Sequence, residues 1–531
     1  MANKLIFQSQ RGEFLPRTDS VNGAGGQAYK LSDEHALAQY VATGCLNGTY
    51  YYDAEDQLKQ ILRLSSKVSA TFLAKVAIYS RKQAYMKDAP ALLCAILSVR
   101  NIELLKEVFP VVLDNGKMIR NFVQIMRSGV VGRKSMGTAS KRLIQHWLNT
   151  ASDDQLLSAS VGQSPSLADI VKMVHAKPKQ ASREAYLGYL IGRDVDYNLL
   201  PTKVKAFEAW KQDRSQALPD VPFQMLTAQE LRTDDWVGIA MKAPWHMTRM
   251  NLNTFQRHGV FTVPSMVEKI AKRLSNRDAV KRSRVFPYQL LAAYLNSSDA
   301  IPVKVKNALQ DAMEIALENV PEIKGNVIIC PDISGSMHSP VTGYRKGSSS
   351  KVSCLDAAAL IAAAILKKNP NATVLPFSND VVNVSLNPLD SVMTNAKILS
   401  RLPSGGTNCS APLKWITKYN RPVDMIIFIS DNESWMDSAY YGYYGGGATA
   451  TMNEWKKVKH ANSKAKLACI DITPHDTSQA KSRKDVLNIG GFSDHVFTLL
   501  SHFALGDLDA DHWVGEINNT ELNYNESSLT H

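Results

Sequence analysis

The chain contains little that would mark an exported, membrane-bound or disulfide-rich protein. Only six of its 531 residues are cysteines, and no two of them form a CxxC pair, which argues against a disulfide scaffold or a zinc ribbon. The longest unbroken apolar run covers residues 357–366 and is shorter than the roughly 20 residues of a membrane-spanning helix. The first residues, MANKLIFQSQRGEF, lack an apolar core of secretory length. The sequence therefore predicts a cytoplasmic protein without a membrane span.

Acidic residues are scarce relative to basic ones, but only in the first three-fifths of the chain. Residues 1–320 carry 42 Lys and Arg against 29 Asp and Glu, whereas residues 321–531 carry 19 against 20. The net charge of +12 therefore belongs wholly to the first part. Such an excess favours a polyanionic partner, of which a nucleic acid is the usual example. A basic protein without such a partner is the alternative.

The spacing of apolar residues divides the chain into two parts. Within residues 1–320, apolar residues recur at i, i+3 and i+4 from about residue 30, as in TFLAKVAIY and YQLLAAYL, which predicts an all-α array of helical repeats. Within residues 321–507, apolar runs alternate with helical stretches, which predicts an α/β domain with a parallel sheet. Its candidate strands are GNVIICPD, ATVLPF, DMIIFIS, KLACIDI and DHVFTLL. Residues 508–531 are acidic and predict a last helix and tail.

Oxygen-bearing side chains cluster in three loops of the second part. The first follows the strand VIIC, the second is SGGTNCS, and the third follows the strand MIIFIS; the residues are Asp332, Ser334, Ser336, Thr407 and Asp431. Loops after parallel strands gather at one edge of the sheet. Two carboxylates and three hydroxyls favour Mg²⁺, or Mn²⁺ or Ca²⁺, over zinc. Because the set contains no nucleophile–base pair, we expect it to bind a ligand rather than catalyse a reaction.

A cationic helix face is predicted in the first part of the chain. Residues 121–149 contain no acidic residue, and a helix from Thr138 would carry its cations on one face and its apolar residues on the other. Further cations lie before this helix, in VHAKPK and in WHMTRMNLNTFQRHG. The candidate RNA contacts are Arg127, Arg133, Lys134, Lys141, Arg142, His146, His175, Lys177, Arg249 and Arg257. Since no base-reading signature accompanies them, we expect recognition of phosphates, shape and single strands.

The order of these parts and several motifs resemble the Ro autoantigen family, in which a TROVE module precedes a von Willebrand factor A domain. The resemblance spans nearly the whole chain and is strongest at DISGSM, SGGTNCSAPLKW, SDNESW and RVFPYQLLAA. It implies a HEAT-like helical ring followed by an α/β Rossmann-like domain. It also implies that the five oxygen-bearing residues form a metal-ion-dependent adhesion site. The segment VHAKP is similar to a His-Leu-Lys-Pro segment of the family, which implies an RNA contact for His175.

The same resemblance implies a function in RNA quality control. Family members bind small noncoding Y RNAs and the single-stranded ends of misfolded RNAs, and bacterial members act with an exoribonuclease such as polynucleotide phosphorylase in ribosomal RNA maturation or decay under stress. We expect no enzymatic activity in this chain, and a monomer, with oligomers around RNA as the alternative. The other function considered is an adhesion-type scaffold whose metal binds an acidic protein ligand. A scaffold would not need the positive charge of residues 1–320.

Overall fold

The first part of the chain is a succession of short helices, as the apolar spacing predicted. The computed structural model describes residues 15–44, 46–318, 320–345, 350–436, 447–508 and 511–522. Helices α1 to α19 are Asp33–Thr43, Ala54–Lys67, Ala70–Lys82, Asp88–Arg100, Ile102–Val112, Gly116–Ser128, Gly137–Thr150, Asp153–Ser160, Leu167–Val174, Ala181–Leu190, Thr202–Gln212, Phe223–Leu226, Thr233–Lys242, Trp245–Met250, Leu252–Arg257, Pro264–Leu274, Arg277–Ser283, Pro287–Leu295 and Val303–Ala316.

Polar caps set the ends of helices in this array. The Asn115 side chain accepts hydrogen bonds from the backbone N–H groups of Lys117 and Met118 at the start of α6, which satisfies donors that have no partner inside the helix. The same helix ends at Gly129, whose φ of 82° lies in the left-handed region that glycine adopts without a steric cost. Both ends of α6 are therefore set locally, while its apolar face is buried.

The two ends of the helical array contact each other. The guanidinium of Arg284, which follows α17, lies 5.1 Å from the centre of the Tyr85 ring after α3. It also donates a hydrogen bond of 3.4 Å to the Lys82 carbonyl. The Tyr85 and Phe286 rings lie 5.9 Å apart. The array therefore closes on itself, in agreement with the helical ring that the resemblance implied.

The second part of the chain is a parallel sheet covered by helices on both faces. Strands β1 and β2 lie near the start of the chain, at Ser20–Val21 and Gln27–Lys30. In the second part, strands β3 to β8 are Val327–Pro331, Thr373–Val374, Met425–Ser430, Lys466–Asp471, Thr477–Ser478 and Val486–Gly490. Helices α20 to α25 are Cys354–Lys368, Val392–Leu399, Ala411–Lys418, Ala450–Ala461, Asp494–Leu505 and His512–Asn518. The five parallel strands have the order β4-β3-β5-β6-β8. Helices α22 and α23 pack on one face, and α20 and α24 pack on the other.

One predicted strand is wrong. The segment DHVFTLL forms α24, and the fifth strand of the sheet is instead β8, in the sequence VLNIG. The reason lies in the spacing of the buried side chains, which is helical and skips the exposed Thr498. The buried residues are Val496, Phe497, Leu499, Leu500 and Phe503. A short apolar run does not by itself distinguish a buried strand from a buried helix.

Both terminal segments connect the two parts of the chain. Strand β2 pairs antiparallel with β7, and the buried Tyr29 of β2 joins the core on one face of the α/β domain. Near the other end, α25 packs against α1 and α3, and the buried Trp513 donates a hydrogen bond of 2.8 Å from Nε1 to the Tyr79 hydroxyl. The predicted acidic tail lies outside the described residues from position 523.

Two further features concern the cysteines and the lengths of the helices. The thiols of Cys94, Cys330, Cys354, Cys409 and Cys469 are buried. Burial raises the pKa of the Cys354 thiol to about 12, so this group stays protonated. Within the part of the chain that the structure describes, every helix is too short or too polar to cross a membrane.

Candidate metal centre and cationic surface

The structure places the three loops that carry the five predicted metal ligands at the carboxyl edge of the sheet, where the Gly335 N–H donates a hydrogen bond of 2.9 Å to the Gly405 carbonyl. The first loop follows β3, the second precedes α22, and the third follows β5. All five side chains are buried, with exposed fractions of 0% for Asp332 and Ser334, 5% for Ser336, 1% for Thr407 and 2% for Asp431. The hydroxyl oxygens of Ser334 and Ser336 lie 3.2 Å apart. The candidate site is therefore a buried set of oxygen-bearing side chains.

Hydrogen bonds hold the two carboxylates in place. Asp332 Oδ1 accepts from the Ser334 N–H at 2.8 Å, and Asp332 Oδ2 accepts from the Ser430 hydroxyl at 2.6 Å. Asp431 Oδ1 accepts from the Glu433 N–H at 3.3 Å. Because a carboxylate oxygen has more than one acceptor position, these bonds orient the two groups without exhausting them.

The electrostatics of the site favour a cation. Burial raises the pKa of Asp332, and the negative charge of Asp431 raises it further. Burial also raises the pKa of Asp431. Among the described residues, neither carboxylate forms an ion pair with a Lys or Arg side chain. A divalent cation would relieve this repulsion, and an all-oxygen donor set of this kind fits Mg²⁺.

Sequence reasoning missed three residues beside this set. Ser430 is the last residue of β5, and its hydroxyl holds Asp332. The buried Glu433 carries a pKa that burial raises to about 7, while the charge of His475 acts in the opposite direction. Tyr51, from the connection between α1 and α2, has a pKa that burial raises and that the negative charge of Asp431 raises further. Glu433 stands in the SDNESW motif and was within reach of sequence analysis, whereas nothing local marked Tyr51.

The predicted cationic helix is α7, and it forms a surface together with α6 and α9. Its apolar side chains are buried as predicted, except that Trp147 is half-buried. Gln145 Nε2 donates a hydrogen bond of 2.6 Å to the Val174 carbonyl, which places the end of α9 and the exposed His175 beside α7. We define the cationic surface as the residues Arg127, Lys134, Lys141, Arg142, His146, His175 and Lys177. Lys141 and His146 are half-buried, and the other five residues are exposed.

The cations of this surface are not neutralised by neighbouring acids. Within the described ranges, none of its Lys or Arg residues has an ion pair closer than 4.0 Å. The acid at its border is Asp169, whose pKa is lowered mainly by hydrogen bonds from Ser166 and also by the charge of Arg127. A second basic run, at residues 272–284, differs in this respect. There Arg277 and Lys281 both pair with Glu318, at 2.5 and 3.0 Å.

Three predicted contact residues lie apart from the cationic surface. Arg133 Nη2 donates hydrogen bonds to the Ser98 carbonyl, the Ser98 hydroxyl and the Met136 carbonyl, so its guanidinium ties α4 to the start of α7. Arg249 Nη1 donates 2.8 Å to the Gln289 carbonyl, and burial lowers its pKa. Arg257 is exposed but lies at the end of α15, which packs on α13. Arg133 and Arg249 are therefore helix-linking residues rather than free cations.

The structure joins a closed helical array to a parallel α/β domain, which has an oxygen-lined site at the carboxyl edge of its sheet. These features define the class of proteins that combine a TROVE module with a von Willebrand factor A domain. The chain matches the family models described as TROVE domain, at residues 236–326, and Ro60 vWA domain, at residues 326–504. It belongs to the Ro60 family.

Two curated relatives and one solved structure illustrate the likeness. The chain is 25% identical to the RNA-binding protein RO60 of Deinococcus radiodurans over 532 residues, which covers 92% of this chain and 95% of that protein. It is also 25% identical to the RNA-binding protein RO60 of Caenorhabditis elegans over 255 residues, which covers 46% and 37%. The crystal structure of the Deinococcus radiodurans RO (RSR) protein matches with a TM-score of 0.61 at 20% identity, covering 90% of this chain and 100% of that one. This last likeness supports the fold.

Proposed function

We propose that the chain binds RNA through the cationic surface of α6, α7 and α9. The observation that carries the proposal is that the Lys and Arg side chains of this surface have no ion-pair partner in the described part of the chain. Cations without acidic partners attract phosphates, and they release condensed counterions when they bind them. The relatives named RNA-binding protein RO60 support the same class of ligand.

The RNA partners that we propose are small noncoding Y RNAs and misfolded or ribosomal RNAs with single-stranded ends. In this proposal the protein acts in the cytoplasm as an adaptor, and an exoribonuclease such as polynucleotide phosphorylase supplies the catalysis during RNA maturation under stress. The chain's own contribution is binding. Its candidate metal centre has two carboxylates and three hydroxyls without a nucleophile–base pair, which supports a role other than catalysis.

We also propose that the centre holds Mg²⁺ between Asp332, Asp431 and the hydroxyls of Ser334, Ser336 and Thr407. When bound, the ion supplies positive charge that offsets the two buried carboxylates. In the alternative function, an adhesion-type scaffold, the carboxylate of an outside protein must reach the bound metal. Because all five side chains are at most 5% exposed, the geometry supports RNA binding better than the scaffold.

A titration of RNA binding across salt concentrations tests this proposal. The full chain is mixed with a structured RNA that carries a single-stranded end, and binding is followed by gel shift. We expect a steep decrease in affinity with salt, since each phosphate contact adds about 0.7 to the log–log slope for a single strand. Polyglutamate serves as the acidic-protein control. A flat response to salt, or tighter binding of polyglutamate than of RNA, would contradict RNA binding as the function.

A further inference from the structure

One stretch of the α/β domain is strongly basic, although residues 321–531 are close to neutral as a whole. Residues 391–423 contain five Lys and Arg and no Asp or Glu. Three of these cations lie close together in the sequence KWITKYNR, where they are interleaved with a tryptophan and a tyrosine. Cations beside aromatic rings are typical of surfaces that bind single-stranded nucleic acids. The segment is therefore a candidate contact for RNA if the fold exposes it.

Helix α22 exposes the cations of this segment and buries its apolar residues. Leu413 and Ile416 belong to the core on one face of the sheet. Lys414 and Lys418 lie four positions apart on the opposite face of the helix, and both are exposed. Like charges at this spacing destabilise a helix. The stability of α22 therefore does not explain why both positions carry a cation.

The turn after α22 brings a third cation to the same helix. The Arg421 N–H donates a hydrogen bond of 3.0 Å to the Ile416 carbonyl. Asn420 has a φ of 46°, a left-handed conformation that asparagine adopts more readily than most residues. Beyond this turn, the guanidinium carbon of Arg421 lies 5.5 Å from the centre of the Trp415 ring. The turn thus holds an exposed cation beside an aromatic ring.

Two aromatic rings form the middle of this surface. The Trp415 and Tyr419 rings lie 5.0 Å apart, and Lys418 Nζ lies 5.3 Å from the centre of the Tyr419 ring. Trp415 is half-buried, whereas Tyr419 is 54% exposed. We define the aromatic–cationic patch as Lys414, Trp415, Lys418, Tyr419 and Arg421. Within the described residues, none of its three cations forms an ion pair closer than 4.0 Å.

A cavity of about 410 Å³ adjoins the patch at Arg421, near the start of the sheet strands. Its volume lies within the range of small-ligand sites. The acid on its wall, Asp424, already accepts hydrogen bonds from the Asn326 N–H at 2.7 Å and from Asn462 Nδ2 at 3.1 Å. The Asn420 side chain on the same wall is exposed, and its amide can both donate to and accept from the edge of a base.

The patch is separate from the cationic surface defined above. Helix α22 packs on α23 and on one face of the sheet, whereas α20 covers the other face and contacts α18 of the helical array. The cationic surface belongs to α6, α7 and α9 of that array. The two basic regions would therefore contact different parts of an RNA molecule.

We propose that the aromatic–cationic patch is a second RNA-binding site, in which the Tyr419 ring stacks on an unpaired base and the three cations bind the flanking phosphates. This inference rests on the proposed function of RNA binding and adds a site on the α/β domain. The ligand is single-stranded, because a base inside a duplex does not offer its face to a protein ring. Cations without acidic partners favour such a polyanion over an uncharged peptide.

Photochemical crosslinking to the full chain tests the location of the site. The probe is a short single-stranded oligouridylate that contains 4-thiouridine, and the crosslinked peptides are identified by mass spectrometry. We expect crosslinks within residues 411–421, because a base stacked on Tyr419 lies in contact with this segment. Crosslinks that fall only outside residues 411–421 would refute the site. This measurement uses the unaltered protein, so it does not depend on the folding of a variant.

Affinities for single-stranded and duplex RNA test the role of stacking. The same oligouridylate is used alone and in a blunt duplex with oligoadenylate, and binding is followed by fluorescence anisotropy. Tyr419→Ala should weaken single-strand binding about tenfold, since a stacked base contributes on this scale, and should leave duplex binding unchanged. Tyr419→Phe should keep the affinity, because its ring still stacks. Tyr50→Ala is the matched control, since Tyr50 is 57% exposed and lies beside another ring, that of Tyr51, at 4.9 Å.

The outcomes separate this site from the proposed function. If the unaltered protein binds neither a structured RNA nor the oligouridylate, RNA binding is refuted and the site with it. If it binds both, and Tyr419→Ala and Tyr50→Ala have equal affinities, RNA binding stands and the site is refuted. Equal losses of single-strand and duplex binding in Tyr419→Ala would refute stacking. If polyglutamate displaces the oligouridylate from residues 411–421 as well as unlabelled RNA does, the patch binds acidic protein surfaces and the proposal is overturned.

Discussion

Removal of two charges from α7 should weaken RNA binding by an amount that the structure allows us to estimate. The change is Lys141→Gln together with Arg142→Gln. Glutamine is a good helix former, and both residues lie away from the buried Leu143, Ile144 and Leu148. Neither cation has an ion pair within the described residues, so no internal contact is lost. The expected effect therefore falls on phosphate binding.

The magnitude follows from counterion release. Two phosphate contacts contribute about 1.4 to the log–log salt slope for a single strand. Between 1 M salt and the physiological value of about 0.15 M, the salt concentration changes by about 0.8 log units. The double variant should therefore lose about 1.1 log units of affinity at physiological salt, which is roughly a tenfold weakening. The assay is a gel shift with the same RNA at several salt concentrations.

A second pair of cations provides the matched control. Arg277→Gln with Lys281→Gln removes the same net charge, but these residues are already paired with Glu318. We expect the control to keep its salt slope. Unchanged affinity in the α7 variant, with an unchanged circular dichroism spectrum, would exclude α7 from the RNA interface. An equal loss in the control would assign the effect to net charge instead of to the cationic surface.

Three further outcomes are expected. Asp332→Ala should abolish Mg²⁺ or Mn²⁺ binding in calorimetry, because one of the two carboxylates is lost. RNA affinity in a gel shift should stay normal, because the cationic surface lies on the helical array. Loss of both metal binding and RNA binding would show that the two sites are coupled. Arg133→Gln should reduce the free energy of unfolding in urea by roughly 1 to 3 kcal/mol, since its hydrogen bonds to two residues are broken, and should leave the RNA salt slope unchanged. Burial, aided by the charges of His475 and His512, lowers the pKa of His35 from 6.5 to about 4. The stability that depends on a neutral His35 is therefore fully present above pH 6.5 and is lost as the pH falls toward 4. His35→Phe should remove about 3 kcal/mol of this acid-induced loss in the free energy of unfolding, measured by urea titration. Equal pH dependence in both proteins would contradict the argument.

Much of the architecture was predictable because its signals are local. The apolar period of the first part identifies helices, since each helix must bury one face, and the cations of α7 fall on the face opposite Leu143 and Leu148. The positions of the two candidate carboxylate ligands were also predictable, because Asp332 and Asp431 each follow a strand that is buried along its whole length. In a parallel sheet that position alone brings the loops to one edge.

Other features depended on packing between distant segments. The sequence treated Arg133 and Lys141 alike, yet Arg133 is held by carbonyls of α4 and of the residue before α7, while Lys141 has no ion-pair partner among the described residues. The apolar run of α24 was ambiguous for the same reason. A buried strand and a buried helix share composition, and the neighbours that fill the space around them decide between the two.

The surroundings of the candidate metal centre show where sequence information ends and tertiary structure begins. The sequence by itself indicated which oxygens are candidate metal ligands, because they lie in loops near the ends of buried strands and such loops gather at one edge of a parallel sheet. Only the tertiary structure decided that the connection between α1 and α2 lies against the loop after the first candidate ligands, where Gly48 meets Tyr344, 296 positions away in the chain. The pairing of β2 with β7 and the hydrogen bond from Asn22 to the Ser434 carbonyl also join the start of the chain to the α/β domain. Each of these is a packing of distant surfaces, which no local pattern of residues specifies.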